Sequence, residues 1–255
     1  AHLALQVAAS AFQEEARPTL ADPPAFLDHA LRRAHREILR YQDMHGLPES
    51  PRTTIVACVV QHGRAWWAHA GDSRLYLLRG GRVVLRTRDH SKVQNLIDLG
   101  MIDERDSATH PERNKVLNCL GSPFEPTIEL GGDVALQAGD TLMLCSDGVW
   151  SALPEDELVE SLSGESVMTA VPRLVQQAVG HAGPIADNAT ALAMTWEAEA
   201  DGLGLSSDDV PDGAITTTIA VGLIDETAPG DAMTEDEIER TIREIREAIS
   251  RAGGS

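Results

Sequence analysis

The feature that most constrains this chain is a change of hydrophobic period between residues 43 and 53. Upstream, apolar residues fall at helical spacing. Leu5, Ala8, Ala9 and Phe12 do so over residues 1–15, and Phe26, Ala30, Leu31, Ala34, Ile38 and Tyr41 over 24–43. Asp22 and Pro23 are start signals for the second helix. Downstream, TTIVACVV (53–60) is a continuous β-branched run suited to a buried strand. RAWWAHAG (64–71), SRLYLLRG (73–80) and RVVLRT (82–87) follow, punctuated at His62-Gly63, Gly71-Asp72 and Gly80-Gly81. The pattern predicts two helices leading into an antiparallel meander.

The rest of the chain supplies more of both periods. Residues 88–126 form a long polar excursion with a short helix at 93–100, and such an excursion between strands is often functional. Strands are expected at 127–137 and 141–146, helices at 154–162 and 165–181, and a final strand within 186–196. From residue 198 the composition becomes acidic and Gly- and Ser-bearing, which reads as a linker to about 213. A strand at 214–224 and a helix from Met233 close the chain. In that helix Thr234 and Glu237 form a capping box, and Ile238, Ile242, Ile245 and Ile249 make one narrow stripe. The stripe suits packing on the chain's own domain, or docking on a partner.

Composition narrows the function classes. A net charge of -19 opposes a nucleic-acid partner, because a phosphate backbone would be repelled. No apolar run approaches the ~18 residues of a membrane span. Cys58, Cys119 and Cys145 form no CxxC pair and read as thiols of a reducing compartment, so a cytoplasmic location is expected.

Three motifs share one design: GDSR (71–74), SDG (146–148) and DNAT (187–190). Each places a short carboxylate where a strand meets a loop. Carboxylates gathered at one sheet end repel each other, and a hard divalent cation relieves that repulsion. Any one of these residues alone reads as a turn former, since Asp-Gly is a common turn dipeptide. Spacing does not prove that they converge.

The order GDSR, DHS (89–91), HPERN (110–114), SDGVW (146–150) and DNAT resembles the metal-dependent PPM (protein phosphatase 2C-type) Ser/Thr phosphatase family in its bacterial form. The resemblance runs from residue 1 to about 197. It implies an α+β fold, a four-layer α-β-β-α sandwich of two antiparallel sheets, with residues 88–126 as a flap. It implies Asp147 and Asp187 as ligands of the catalytic metals, with Asp72 helping to hold a further one. Ser146, Gly148 and Asn188 would support them, and His110 and Arg113 would meet substrate from the flap. The cofactor implied is Mn²⁺ or Mg²⁺, two or three ions in the complete family site. The activity implied is hydrolysis of phosphoserine and phosphothreonine proteins by a metal-activated water, opposing a cognate Ser/Thr kinase.

The chain departs from the family at its start. The family begins with two strands carrying a phosphate-binding Arg and an acidic stretch. An Asp-Gly-x-Gly-Gly motif follows, whose Asp bridges the metals. AHLALQVAASAF resembles the helix that comes next. The fold is therefore expected to be N-terminally incomplete, with weak metal binding and poor turnover by this chain alone. Truncation of an active enzyme and a degenerate pseudophosphatase that binds without catalysis both explain this; the missing Met favours truncation.

Other residues carry plainer expectations. His62, His69 and His90 lack metal-ligand spacing, which suggests core or surface roles. Trp66 and Trp67 are adjacent in a strand and so face opposite sides, one toward the core. Arg74 reads as a solvated strand residue or as the partner of a site carboxylate.

Overall fold

The computed structural model describes residues 1–103, 106–107, 110–182 and 188–197. The chain divides into a unit at Ala1–Ala200 and a unit at Asp201–Ser255. The expected linker at 198–213, and the strand and helix of 214–255, lie outside the described residues.

Two helices open the chain: α1 (His2–Glu15) and α2 (Pro23–His45). The α2 boundaries follow local chemistry. The Asp22 side chain accepts the amide N–H of Ala25 at 3.0 Å, Pro23 occupies the first turn, and Gly46 ends the helix in the left-handed region at φ 58°. Phe26, Leu27, Ala30, Leu31, Ala34 and Ile38 form its buried face.

Among the described residues seven strands follow, and they make two sheets. β1 (Ile55–Gln61), β2 (Arg64–Ala70) and β5 (Glu129–Ala135) form one in that order. β3 (Arg74–Arg79), β4 (Arg82–Arg86), β6 (Asp140–Cys145) and β7 (Ala191–Trp196) form the other, in the order β4-β3-β6-β7. All pairings are antiparallel. The expected meander is therefore corrected. β1–β2 and β3–β4 are hairpins of different sheets, and the chain changes sheet at Gly71-Asp72-Ser73. Gly71 takes φ 121° at this crossing, a conformation that side-chain-bearing residues rarely adopt.

The remaining helices among the described residues are α3 (Lys92–Asp98), α4 (Asp147–Trp150), α5 (Glu155–Gly164) and α6 (Val167–Ala182). α4 is a single turn of four residues, too short to show a period in the sequence. Three apolar clusters show the layering. Phe26, Leu31 and Ala34 pack with Ala68 and Ala70 between the first helices and the first sheet. Trp67, Leu75, Leu77 and Leu142 fill the space between the sheets. Tyr76, Met143, Leu158, Leu162 and Leu174 join the second sheet to α5 and α6. Helix pair, sheet, sheet and helices make the expected α-β-β-α sandwich. Trp67 faces the inter-sheet layer and Trp66 packs against the helix layer, so both indoles serve cores. Among the described residues no helix is long and apolar enough to cross a membrane.

Candidate metal centre

Strand register accomplishes what spacing left open. Arg74 pairs with Cys145, and Cys145 pairs with Ala191. β3 starts, β6 ends and β7 starts at the same end of the second sheet. Asp72 lies just before the first of these positions and Asp147 just after the second. The DNAT loop enters β7 from that same end. Asp187 lies outside the described residues.

The first corner is built around Gly71. A Cβ there would stand 2.4 Å from Thr54 Cγ2, and φ 121° already excludes most side chains. The amide of His90 donates to the Gly71 carbonyl at 2.9 Å, and the Gly71 amide donates to His90 Nδ1 at 3.3 Å. Asp72 is held next to this brace and is buried. Burial, then the nearby carboxylates of Asp147 and Asp89, push its carboxyl up to about 6.

The second corner joins SDG to DNAT. Ser146 Oγ donates to the Asn188 carbonyl at 3.0 Å and accepts the Thr190 amide at 3.0 Å. The Ser146 amide donates to the Thr190 carbonyl. The Gly148 amide donates to Asp147 Oδ1 at 2.9 Å. A Cβ on Gly148 would stand 2.7 Å from the Asn188 carbonyl oxygen, so only glycine lets the two loops meet this closely. Ser146, Gly148 and the backbone of Asn188 thus hold the DNAT loop against the turn that carries Asp147.

Arg74 is not solvated. Its guanidinium donates to both oxygens of Asp89, at 2.8 and 2.7 Å, and to the Tyr76 hydroxyl at 3.1 Å. It also stacks on the Trp150 ring. The sequence pattern does not mark Asp89 or Trp150 as site residues. Asp89 carries a signal in hindsight, as an acid in the DHS motif that balances a buried Arg. Trp150 carries none, because α4 is too short to show a period.

His110 Nδ1 accepts the Glu112 amide at 3.1 Å, which is a turn-forming contact, and Arg113 is exposed. Cys58 and Cys145 are pushed up to about 12 by burial. They stay protonated and unfit as nucleophiles.

In a second donor group His90 is taken up by hydrogen bonds, whereas the buried Nδ1 of His69 has no hydrogen-bond partner among the described residues. Donor atoms of His69, His90 and Glu129 lie within 4.8 Å of one another. His90 Nδ1 meets the Gly71 amide and, at 2.6 Å, the Asn118 side-chain nitrogen. Asn118 is oriented by paired bonds to the Thr127 backbone, so its nitrogen faces His90. With Nδ1 accepting, Nε2 carries the ring proton and donates to Glu129 at 3.1 Å. No lone pair of His90 is left for a metal.

The donors at the first two corners suit a different ion. Asp72 and Asp147 offer only oxygen, crowded and partly desolvated, which is the donor set of a hard divalent cation. Among the described residues, Asp72 and Asp147 would hold it.

No family model matches the chain. Individual proteins do. It is 33% identical over 189 residues to the Serine/threonine protein phosphatase PstP of Mycobacterium tuberculosis, covering 74% of this chain. The match spans only 36% of the length of that relative. It is 31% identical over 193 residues to the Serine/threonine phosphatase stp of Listeria welshimeri, covering 74% of this chain and 75% of the relative. Its fold overlays the crystal structure of the catalytic domain of PstP in complex with two manganese ions. The TM-score is 0.62 and the identity 30%, over 75% of this chain and 80% of that one. The chain belongs to the PPM (protein phosphatase 2C-type) family of serine/threonine phosphatases.

Proposed function

We propose that this chain serves metal-dependent hydrolysis of phosphoserine and phosphothreonine in proteins, with Mn²⁺ or Mg²⁺ as cofactor. The observation that carries the reading is the register of β3, β6 and β7, which gathers the GDSR, SDG and DNAT loops at one sheet end. The manganese in the PstP catalytic domain supports the choice of ion.

In this reading Asp72, Asp147 and Asp187 are the ligands. When bound, the cations supply an activated water and neutralise phosphate charge. The chain's own residues do the rest. Ser146, Gly148 and Asn188 fix the approach of the Asp187 loop to Asp147. His90 braces the Gly71-Asp72 corner. The segment from about 88 to 126 forms one wall of the site, with His110 and Arg113 as candidate substrate contacts. The partners are phosphorylated proteins of the cytoplasm and the kinase that phosphorylates them. The three free thiols fit that reducing compartment.

The test is Mn²⁺-dependent phosphate release from a phosphothreonine peptide, by the chain and by Asp147→Ala. Release that disappears in the variant and in chelator supports the reading. Release that survives Asp147→Ala overturns it.

A further inference from the structure

Trp150 touches both ligand-bearing corners. It ends the one-turn helix that Asp147 begins, and residues at i and i+3 project from the same side of a helix. Its indole Nε1–H donates to the Asp72 carbonyl at 2.9 Å. A single rigid ring therefore spans from the helix carrying Asp147 to the peptide unit carrying Asp72.

The ring itself is fixed. The Arg74 guanidinium lies 3.5 Å from its centroid. That guanidinium cannot drift, because Asp89 holds it with two hydrogen bonds. Val149, beside Trp150, is fully buried and anchors the turn.

The brace opposes a definite force. The Asp72 and Asp147 carboxylates repel each other, and without a constraint their backbones would splay apart. A cation site needs its donors held within about 0.5 Å of the binding geometry. A hydrogen bond to the carbonyl of Asp72 acts on the peptide that aims the Asp72 side chain.

We propose that Trp150 is a positioning residue, whose indole N–H sets the separation of Asp72 and Asp147 and thereby the affinity for the cation they share. The inference rests on the reading of these two residues as ligands. It adds a residue that contributes no ligand atom and whose ring is otherwise accounted for by packing.

The experiment is a Mn²⁺ titration of the full chain, with free Mn²⁺ followed by electron paramagnetic resonance. The proteins compared are the unmodified chain, Trp150→Phe, Asp72→Asn and the double variant. Phenylalanine keeps a ring under Arg74 and removes only the N–H. The expected result is roughly tenfold weaker binding in Trp150→Phe, the scale of an outer-shell partner of a ligand. The thermal midpoint in chelator should change little. In the Asp72→Asn background the same substitution should have no further effect. Unchanged affinity in Trp150→Phe overturns the proposal, and so does an equal loss with and without Asp72. Should Phe leave the chain unfolded, Trp150→Met provides a second large apolar side chain that has no donor. If the unmodified chain shows no Mn²⁺ binding that Asp147→Asn removes, the ligand reading itself falls, an outcome distinct from failure of the positioning role.

Discussion

Both oxygens of the Asp89 carboxylate accept from the Arg74 guanidinium, and the two side chains are 6% and 14% exposed. The pair ties the first residue of β3 to the segment entering the flap. A planar fork suits this geometry and an ammonium does not. Breaking a buried pair costs far more than it would at the surface. Arg74→Lys should therefore destabilise the chain by about 2–3 kcal/mol in urea unfolding. Because the pair backs the Asp72 corner, Mn²⁺ affinity should fall as well. A variant as stable as the unmodified chain would show that the pair contributes nothing net.

Gly148→Ala addresses the contact between the SDG and DNAT loops. The added Cβ would stand 2.7 Å from the Asn188 carbonyl, which the loop relieves by moving away. We expect Mn²⁺ affinity to fall about tenfold or more, as for lost support around a metal ligand. Folding should suffer less, because the DNAT loop lies at the sheet end rather than in a core layer. Isothermal titration beside thermal unfolding separates the two effects.

Asp72 makes the metal-free chain sensitive to pH. Its carboxyl is raised from 3.8 to about 6 by burial first and by neighbouring carboxylates second. A raised folded-state value means that the folded chain binds the proton more tightly than the unfolded one. The associated stability is full below about 4 and is lost as pH rises through about 6. Asp72→Asn should thus stabilise the metal-free chain by about 2–3 kcal/mol at pH 7 and by almost nothing near pH 4. Denaturant unfolding in chelator at the two pH values checks this. Equal effects at both would contradict it.

At the other end of the second sheet, Asp140 is 1% exposed and accepts from Arg79 through both oxygens, at 2.8 and 2.6 Å. It also accepts the Gln137 amide. Chiefly the Arg79 hydrogen bonds hold its carboxyl below the usual carboxylate range. That contribution is present at neutral pH and lost on acidification through the depressed value. Asp140→Ala should cost about 3 kcal/mol at pH 7 through the uncompensated arginine and orphaned amide. Mn²⁺ affinity should not change, since the site lies at the opposite end of the strands. A drop in affinity equal to that of Gly148→Ala would show that general loosening, not local geometry, governs metal binding.

Much of this architecture was written in local pattern. The α2 boundaries follow from Asp22, Pro23 and Gly46, and the strands from β-branched runs between Gly-containing turns, because capping and turn chemistry act within a few residues. The motif order around Asp72, Asp147 and Asn188 was likewise legible. What the sequence could not convey was which strand lies beside which. GDSR read as a turn within a meander, yet it is a crossing between sheets, and pairing of Arg74 with Cys145 and of Cys145 with Ala191 is what gathers the three loops. Arg74 reads from sequence as solvated or as the partner of a site carboxylate, because periodicity reports which face a residue occupies, not what covers that face. Asp89, the Tyr76 hydroxyl and the Trp150 ring cover it, and all but Tyr76 come from distant segments. His69, His90 and Glu129 met without any ligand spacing, and only their hydrogen-bond partners decided that His90 keeps its proton. Local propensity and motif order were thus properties of the chain itself. The separation of Asp72 and Asp147, and the indole that spans them, exist only after packing, because they depend on contacts between residues far apart in sequence.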